Sequence, residues 1–482
     1  MSAAAEAINN MAKAGAMPCV APSGTATCPE GRIRMGVFFD GTNNNQWRDW
    51  PNGVADSRTP DKDDNGPTNV AKLWYLYTDI GDIQKRVYHH GVGTDSHRIR
   101  GMAQAGADRQ ATDSAGRRDA GTDDTAYDWR GNAFGGGGKA RTIWGLKHLS
   151  EFFSKNNNPL AAEKLVEVYG FSRGAAIARD FINRVILEGV DNLKDKSGFR
   201  YISVPNMGRM GGGYGGQQTV RVPAFQRHQN IILHFVGVFD TVASFGLGGL
   251  QAGDAIANYN FFIDHTKVKH TVHMIAEDEI RGNFPVTSLF PDPRQEGDEK
   301  RYTYKDNMVE LWYPGVHCDI GGAYLYVPMV PEVPAHTGYS VGPHGGMATY
   351  NIPVKPAVPP KERELSHIPL EDMHKASVDQ GVPLKPLTTL PENLRNVPSR
   401  LRNAYNAYDA YRSDTDFNIG RRYIQNHDST PYHQRFYVQR AAQPSVIALQ
   451  TYYIHDSRWG IDKLYNRQQR TVLYMGPQPG NR

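Results

Sequence analysis

Apolar runs and amphipathic stretches follow one another along the chain and predict strands that alternate with helices. Short apolar runs that end at turn residues are typical of strands buried in a parallel sheet. They lie at 33–40, 85–90, 164–170, 230–240, 268–276 and 308–314. Helical spacing of apolar residues lies at 68–79, at 140–155 and directly after Ser172. The alternation predicts an α/β fold, with a mostly parallel sheet covered by helices on both faces.

Segments that lack this periodicity divide the chain. Residues 1–30 are small and polar and are predicted to form a flexible N-terminal arm. Residues 31–325 contain the strands and are predicted to be the core domain, with insertions at about 91–138 and 190–228. Residues 326–482 are predicted to form a Pro-rich insertion followed by a helical C-terminal region.

The composition narrows the class of protein. The 482 residues carry a net charge of only +4, which argues against a dedicated nucleic-acid-binding protein, since such a protein presents a clustered basic face. No run of 18 or more apolar residues is present, and the N-terminus lacks the basic start and apolar core of a secretory signal. The three cysteines include no CxxC pair, which excludes a zinc ribbon. Cys19 and Cys28 could form a disulfide or remain free thiols.

One serine has the sequence context of a catalytic nucleophile. The sequence GFSRG at 170–174 matches GxSxG and places Ser172 between a predicted strand and an amphipathic helix, as a nucleophile elbow requires. Gly170 and Gly174 relieve the crowding that such a sharp turn creates. A second match at Ser340 has neither flanking element and is predicted to be a loop serine.

Two backbone amides are candidates for binding an oxyanion. The N–H of Arg173 lies at the start of the predicted helix, where the helix dipole favours negative charge. A second donor is expected from the GTNNN turn after Asp40, where Gly41 allows close backbone approach and Thr42 could supply the N–H. A capped turn that merely ends the strand would explain the same residues. Asp40 could hold this loop in shape or position another group near the site.

The other members of a catalytic triad are predicted from chain order. A serine nucleophile needs a histidine base and a carboxylate that orients it, in the order Ser, acid, His in this kind of fold. Asp240 ends the strongest predicted strand and is expected at the carboxyl edge of the sheet. His317 lies in a Gly-rich loop after another strand. Ser172, Asp240 and His317 are therefore the predicted triad.

Other titratable residues compete for these roles. His270 and His273 lie on a predicted strand and are more simply explained as packing residues. Asp180 lies on the helix after the serine, where it is expected to face solvent or to pair with an arginine. Asp319 is expected to shape the loop that contains His317.

The sequence contains no convincing motif for a nucleotide or metal site, because the partial matches lack the residues or flanking elements that such sites require. The glycines of MGGGYGG satisfy GxGxxG, but no predicted strand precedes them and no helix follows. The segment GGGGKAR at 135–141 lacks the Ser or Thr that follows the lysine of a phosphate loop. No HExxH or EF-hand loop is present. The predicted triad chemistry needs neither a cofactor nor a metal.

Several segments together resemble a family of α/β-hydrolases that includes phospholipase effectors of the bacterial type VI secretion system. They are FFDGTNNN (38–45), YHHGVGT (88–94), GFSRGAAIAR (170–179), FVGVFDTVASFG (235–246), HTVHMIAEDEIRGNFP (270–285) and PGVHCDIGGAY (314–324). Ordered segments spread over roughly 33–325 are far more specific than one GxSxG. Cys318 departs from the pattern, since a small polar residue is expected there.

The resemblance implies an α/β-hydrolase fold with large insertions, a triad of Ser172, Asp240 and His317, and hydrolysis of acyl esters in membrane phospholipids. It also implies a spike or carrier protein of the secretion apparatus, action in the periplasm or at the membrane of a target bacterium, and a cognate immunity protein. From their position and length alone, the insertion at 190–228 and the region after 325 are candidates for a lid or a membrane-contacting part. Two alternatives stay open: a soluble carboxylesterase acting on small acyl esters, and an inactive hydrolase-fold binding module.

Overall fold

The structure is a computed structural model that describes about half of the chain. The described residues are 31–49, 66–92, 138–154, 161, 163–187, 199–205, 217–223, 231–244, 259–279, 281, 284–290, 307–324, 336–341, 347–352, 362–412, 444–455 and 472–473. The predicted N-terminal arm, most of the insertion at about 91–138, and both Cys19 and Cys28 lie outside these residues.

Six parallel strands form the central sheet. They are β1 (Arg32–Phe39), β2 (Gln84–His89), β3 (Glu163–Phe171), β4 (Ile231–Phe239), β5 (Val268–Ala276) and β6 (Met308–Tyr313). Their spatial order is β2-β1-β3-β4-β5-β6, and each neighbouring pair is parallel. The strands are almost entirely buried, which explains why they read as apolar runs rather than as an alternating pattern. The predicted parallel sheet is confirmed.

Helices cover both faces of this sheet. They are α1 (Asn69–Leu76), α2 (Gly138–Ser154), α3 (Arg173–Leu187), α4 (His317–Gly321), α5 (His367–Asp379), α6 (Ser399–Arg412) and α7 (Pro444–Tyr452). Helices α2 and α3 pack in the apolar cluster on one face, whereas α1, α5, α6 and α7 contribute to the cluster on the other. The predicted domain boundary at 325 stays a prediction, although α5 beyond it packs on the sheet.

Adjacent residues of one strand supply the two cores. The rings of Phe38 and Tyr169 stack with centroids 4.9 Å apart on the face that α1 covers. Phe39 points the opposite way and contacts Phe181 of α3, with centroids 5.6 Å apart. Because each such aromatic side chain is fully buried, its removal from water contributes about 1.5–3 kcal/mol to folding.

Short strands outside the sheet form two hairpins, and one of them corrects a sequence expectation. Within the insertion predicted at 190–228, Phe199–Pro205 and Gln217–Pro223 form an antiparallel hairpin. A second hairpin pairs His336–Val341 with Met347–Ile352. The prediction of a loop serine at Ser340 is wrong, because this residue lies in the first arm of that hairpin. Cross-strand pairing, which local sequence does not reveal, stabilises both arms.

The strand order places the site. The chain runs from β1 to β2 on one side of the sheet and then to β3 on the other side of β1. In such a sheet a crevice opens outside the carboxyl ends of the strands at the point of reversal. Asp40 follows β1, Ser172 follows β3 and Asp240 follows β4, so all three lie at this edge. In the part of the chain that the structure describes, no helix is long and apolar enough to cross a membrane.

Candidate active site

The turn that contains Ser172 is a tight connection between β3 and α3. Ser172 adopts the left-handed conformation, with a φ of 57°. A Cβ atom on Gly170 would lie 2.6 Å from the Cα of Ala175, and one on Gly174 would lie 2.3 Å from the carbonyl oxygen of Asp40. Both contacts are far shorter than real Cβ contacts, so these two glycines are needed for the turn to form as the sequence predicts.

Backbone strain concentrates at this edge of the sheet. Among the described residues, the non-glycine residues with positive φ are Asn43, Ser172, Asp240 and Ala323. Asn43, Ser172 and Asp240 lie in the turns directly after β1, β3 and β4, and Ala323 lies just after α4, so three of the four are at the carboxyl ends of neighbouring strands. Each such conformation costs about 1–3 kcal/mol and persists where the surroundings impose it, which is typical of functional sites.

Asp240 and His317 form a buried hydrogen-bonded pair. His317, the first residue of α4, places its Nδ1 2.5 Å from one carboxylate oxygen of Asp240. The other oxygen accepts the N–H of Ala276 at 3.0 Å. Burial lowers the pKa of His317 below its ordinary 6.5, and the hydrogen bond and negative charge of Asp240 oppose this shift. The imidazole is therefore neutral near pH 7, with its Nδ1 hydrogen directed at Asp240.

Two contacts bring the Asp240–His317 pair to the turn of Ser172. The N–H of Val242 donates to the carbonyl oxygen of Ser172 at 3.3 Å. The ring of Phe171 packs against the imidazole of His317, with centroids 4.6 Å apart. The structure therefore brings the three residues of the predicted triad to one buried site, although their roles stay predictions.

Asp40 is tied to the loop that follows it. Its carboxylate accepts the N–H of Gly41 at 2.7 Å, the hydroxyl of Thr68 at 2.8 Å and the hydroxyl of Tyr88 at 2.5 Å. Of the two roles that the sequence leaves open for Asp40, these contacts favour holding the loop in shape.

The loop presents Thr42 to the helix after Ser172. The Nε of Arg173 donates to the hydroxyl oxygen of Thr42 at 2.6 Å. The N–H groups of Gly41, Asn43 and Asn44 are all hydrogen-bonded, to Asp40 and to backbone carbonyls. The N–H of Thr42 makes no such bond within the described part of the chain, which leaves it able to bind an oxyanion.

Sequence reasoning missed the residues that support His317. A carboxylate oxygen of Glu279 accepts the backbone N–H of His317 at 3.3 Å, and the same carboxylate binds Arg281 in a bidentate pair. The guanidinium of Arg281 stacks 3.5 Å over Phe284, whose ring lies 5.0 Å from that of His317. The segment HTVHMIAEDEIRGNFP contains all three supports, so the resemblance could have indicated them as a group.

The competing acids have other partners. Asp180 is buried and pairs with Arg184 at 3.2 Å, so the expected arginine pair is present and the solvent-facing alternative is wrong. Asp319 accepts the N–H of Val316 at 3.0 Å and binds the Nδ1 of His455 at 2.6 Å. Asp319 therefore shapes the His317 loop, as the sequence predicts.

Cys318 lies beside His317 as a free thiol. Burial raises its pKa to about 12, so it is a neutral, unreactive thiol near pH 7. The unexpected residue at this position therefore adds no second nucleophile. Within the described residues, no group of three or more His, Cys, Asp or Glu side chains could hold a metal ion.

The parallel sheet, the strand–turn–helix at Ser172 and the Asp–His pair at the same edge define an α/β-hydrolase. The family model for the catalytic domain of Tle1-like phospholipase effectors of the type VI secretion system (T6SS) matches residues 34–375. Since this match covers more than half of the chain, the protein belongs to the family of Tle1-like T6SS phospholipase effectors. The match also extends past residue 325, where the recognisable sequence segments end.

Two solved structures are similar to the chain. One is described as the crystal structure of an uncharacterized protein from Pseudomonas aeruginosa, with 21% identity and a TM-score of 0.45; the alignment covers 90% of this chain and 61% of that one. The other is described as the Tle1 effector bound to the VgrG spike of the type 6 secretion system, with 17% identity and a TM-score of 0.43. That alignment covers 88% of this chain and 84% of the other chain. This chain thus spans 61% of the length of the first. No curated protein matches the sequence.

Proposed function

We propose that this protein is a serine esterase of the phospholipase A type that hydrolyses acyl esters of membrane phospholipids and acts as an antibacterial type VI secretion effector. The observation that supports it best is the buried Asp240–His317 pair beside the strained turn of Ser172, in which the Nδ1 of His317 lies 2.5 Å from a carboxylate oxygen of Asp240. Membership of the Tle1-like phospholipase effectors supports the lipid substrate.

The proposed reaction follows from the geometry of this pair. The hydroxyl oxygen of Ser172 attacks the acyl carbonyl while the Nε2 of His317 accepts its proton, and Asp240 stabilises the resulting imidazolium. The backbone N–H groups of Arg173 and Thr42 bind the oxyanion of the tetrahedral intermediate. His317 then protonates the departing lysophospholipid alkoxide, and a water molecule, deprotonated by His317, releases the fatty acid from Ser172.

The hydroxyl of Thr42 is expected to affect catalysis indirectly, by holding the backbone N–H of the same residue in place. Thr42→Val removes the hydroxyl that accepts from Arg173, so the loop can shift and the oxyanion donor with it. We expect kcat to fall about tenfold, less than the loss from deleting a donor. Thr42→Ser keeps the hydroxyl and is expected to retain wild-type kcat. Equal kcat values for the two variants would contradict this role.

The pH dependence of kcat/KM is expected to follow His317. Only the neutral imidazole can accept the proton of Ser172, so activity is lost as pH falls through the pKa of His317. Because burial lowers that pKa, the midpoint of the acidic limb is expected below 6.5. A pH profile with a soluble ester measures the midpoint, and a value at or above 6.5 would contradict the assignment of His317 as a buried base.

The partners and location are part of the same proposal. The solved Tle1 effector is bound to a VgrG spike. We propose that a spike or carrier protein likewise delivers this chain, that it acts in the periplasm or at the membrane of a target bacterium, and that a cognate immunity protein protects the producer. Within residues 326–482, helices α5, α6 and α7 contribute to the apolar core, so the lid or membrane-contacting part is proposed for the rest of that region.

The products of hydrolysis test the proposed reaction class. Vesicles of a phospholipid with different acyl chains at its two positions are incubated with the protein, and products are identified by mass spectrometry. One lysophospholipid and one free fatty acid are expected, and the chain released names the position that is cut. Release of the headgroup or phosphate would overturn the phospholipase A assignment, and turnover of short-chain esters alone would indicate a soluble carboxylesterase.

A further inference from the structure

The turn that contains Asp240 is held by hydrogen bonds on every side. The N–H of Asp240 donates to the carbonyl oxygen of Met274 at 2.7 Å, and the carbonyl oxygen of Thr241 accepts the N–H of Thr287 at 2.8 Å. One donor in this turn, the N–H of Thr241, is satisfied by a side chain rather than by backbone. That side chain is the imidazole of His273 on β5.

His273 is fixed at both ring nitrogens. Its Nε2 lies 3.1 Å from the N–H of Thr241, and its Nδ1 lies 2.9 Å from a carboxylate oxygen of Glu310 on β6. Because the Thr241 amide can only donate, Nε2 must be without a hydrogen. The ring hydrogen therefore lies on Nδ1 and is donated to Glu310.

Glu310 is itself anchored, so the histidine cannot follow a shift of the turn. The carboxylate of Glu310 accepts the N–H of Leu289 at 2.6 Å and the hydroxyl of Ser288 at 3.0 Å. Beside it, the guanidinium of Arg179 donates to the carbonyl oxygens of Thr287 and Ser288, at 2.7 and 2.8 Å. The contacts form one connected support that ends one residue from Asp240.

We propose that His273 and Glu310 are positioning residues for the reaction. Glu310 fixes the imidazole of His273, this imidazole fixes the turn that contains Asp240, and the turn directs the carboxylate of Asp240 at His317. This inference rests on the proposed triad. His273 does not contact the reacting atoms, so its role is indirect. The sequence does not reveal this role, because a histidine on an apolar strand has the pattern of a packing residue.

The surroundings of His273 favour the neutral form that this role requires. The charged groups that face it are Glu310 on β6, Arg179 on α3 and Asp240 on the turn. Burial lowers the pKa of His273, and its hydrogen bond to Glu310 opposes this shift. The pKa of Glu310 is lowered: burial is the largest influence and acts to raise it, but the interactions with His273 and the hydrogen bonds from Leu289 and Ser288 together outweigh it. The pair is thus a neutral histidine and an ionised glutamate.

Two amide variants of His273 separate positioning from packing. In His273→Gln, the amide oxygen can take the place of Nε2 and still accept from Thr241. In His273→Asn, the shorter amide reaches only the Nδ1 position and leaves Thr241 unpaired. With a soluble short-chain ester we expect His273→Asn to lower kcat tenfold or more with little change in KM, and His273→Gln to stay within threefold of wild type. Equal kcat in the two folded variants would overturn the proposal.

A spectroscopic measurement makes the test independent of the substrate. The hydrogen shared by His317 and Asp240 is expected to give a far-downfield proton resonance in the wild type and in His273→Gln. In His273→Asn, and in Glu310→Gln should His273→Asn not fold, it is expected to shift or disappear. An unchanged resonance in folded His273→Asn, or in folded Glu310→Gln where that variant replaces it, would overturn the proposal. If the wild type cleaves no phospholipid while the resonance behaves as expected, the proposed function fails and the positioning role stands.

Discussion

Asp240→Asn is expected to lower kcat by about 10⁴-fold, the usual cost of the wrong histidine tautomer in a serine triad. Asp240 accepts from two donors at once, the N–H of Ala276 and the Nδ1–H of His317. An asparagine has one oxygen. If that oxygen accepts from Ala276, the amide NH₂ faces Nδ1, the ring hydrogen moves to Nε2, and His317 can no longer accept the proton of Ser172.

Asp319→Asn is the matched control for this substitution. Asp319 lies two residues from His317 and also binds a histidine, His455, at 2.6 Å. We expect its replacement to lower kcat by less than about tenfold, because it supports the loop without setting the tautomer of His317. Thermal unfolding of both variants checks that they are folded. Similar losses in the two folded variants would contradict the assignment of Asp240 as the triad acid.

Gly321→Ala is expected to destabilise the fold by about 3 kcal/mol or more and to lower kcat at least about 100-fold. A Cβ atom at Gly321 would lie 2.0 to 2.3 Å from ring carbons of Phe171. The ring has little room to move away, because the backbone of Gly41 lies close to its opposite edge: a Cβ atom built on Gly41 would be 2.4 Å from the ring. Phe171 in turn packs on His317, so any displacement of the ring reaches the proposed catalytic base.

Two further variants test the origin of that effect. Gly81→Ala has nothing within 4 Å of the added atom and a φ of 60°, so it is expected to cost only about 1–2 kcal/mol and to leave kcat unchanged. Combining Gly321→Ala with Phe171→Leu removes part of the clashing ring and is expected to recover part of the stability. A double-mutant cycle without coupling between positions 171 and 321 would contradict the steric account.

The sequence predicts the sheet well because its strands are local features. Each of the six is a short apolar run bounded by turn residues, and the observed bounds differ from the predicted ones by no more than about a residue. The antiparallel arm that contains Ser340 could not be predicted in this way, because its stability comes from pairing with Met347–Ile352 rather than from its own periodicity.

The site likewise contains residues that local sequence reveals and residues that only long-range contacts reveal. Ser172, Asp240 and His317 are recognisable because each follows a strong strand at a turn, and the structure brings them together. Glu279 and His273 act through single long-range hydrogen bonds, to His317 and to the turn of Asp240. A histidine inside a strand has the pattern of a core residue whether it packs or supports a turn, so only the three-dimensional contacts distinguish the two.

Fatty-acid release from phospholipid vesicles tests most directly whether Ser172 is the nucleophile of a phospholipase. Wild type, Ser172→Ala and Ser340→Ala are compared, the last because Ser340 lies in the second GxSxG match of the chain. We expect release by the wild type and Ser340→Ala, and a loss of about 10⁴-fold or more in Ser172→Ala. Release that persists in folded Ser172→Ala, or that disappears in folded Ser340→Ala, would contradict the account.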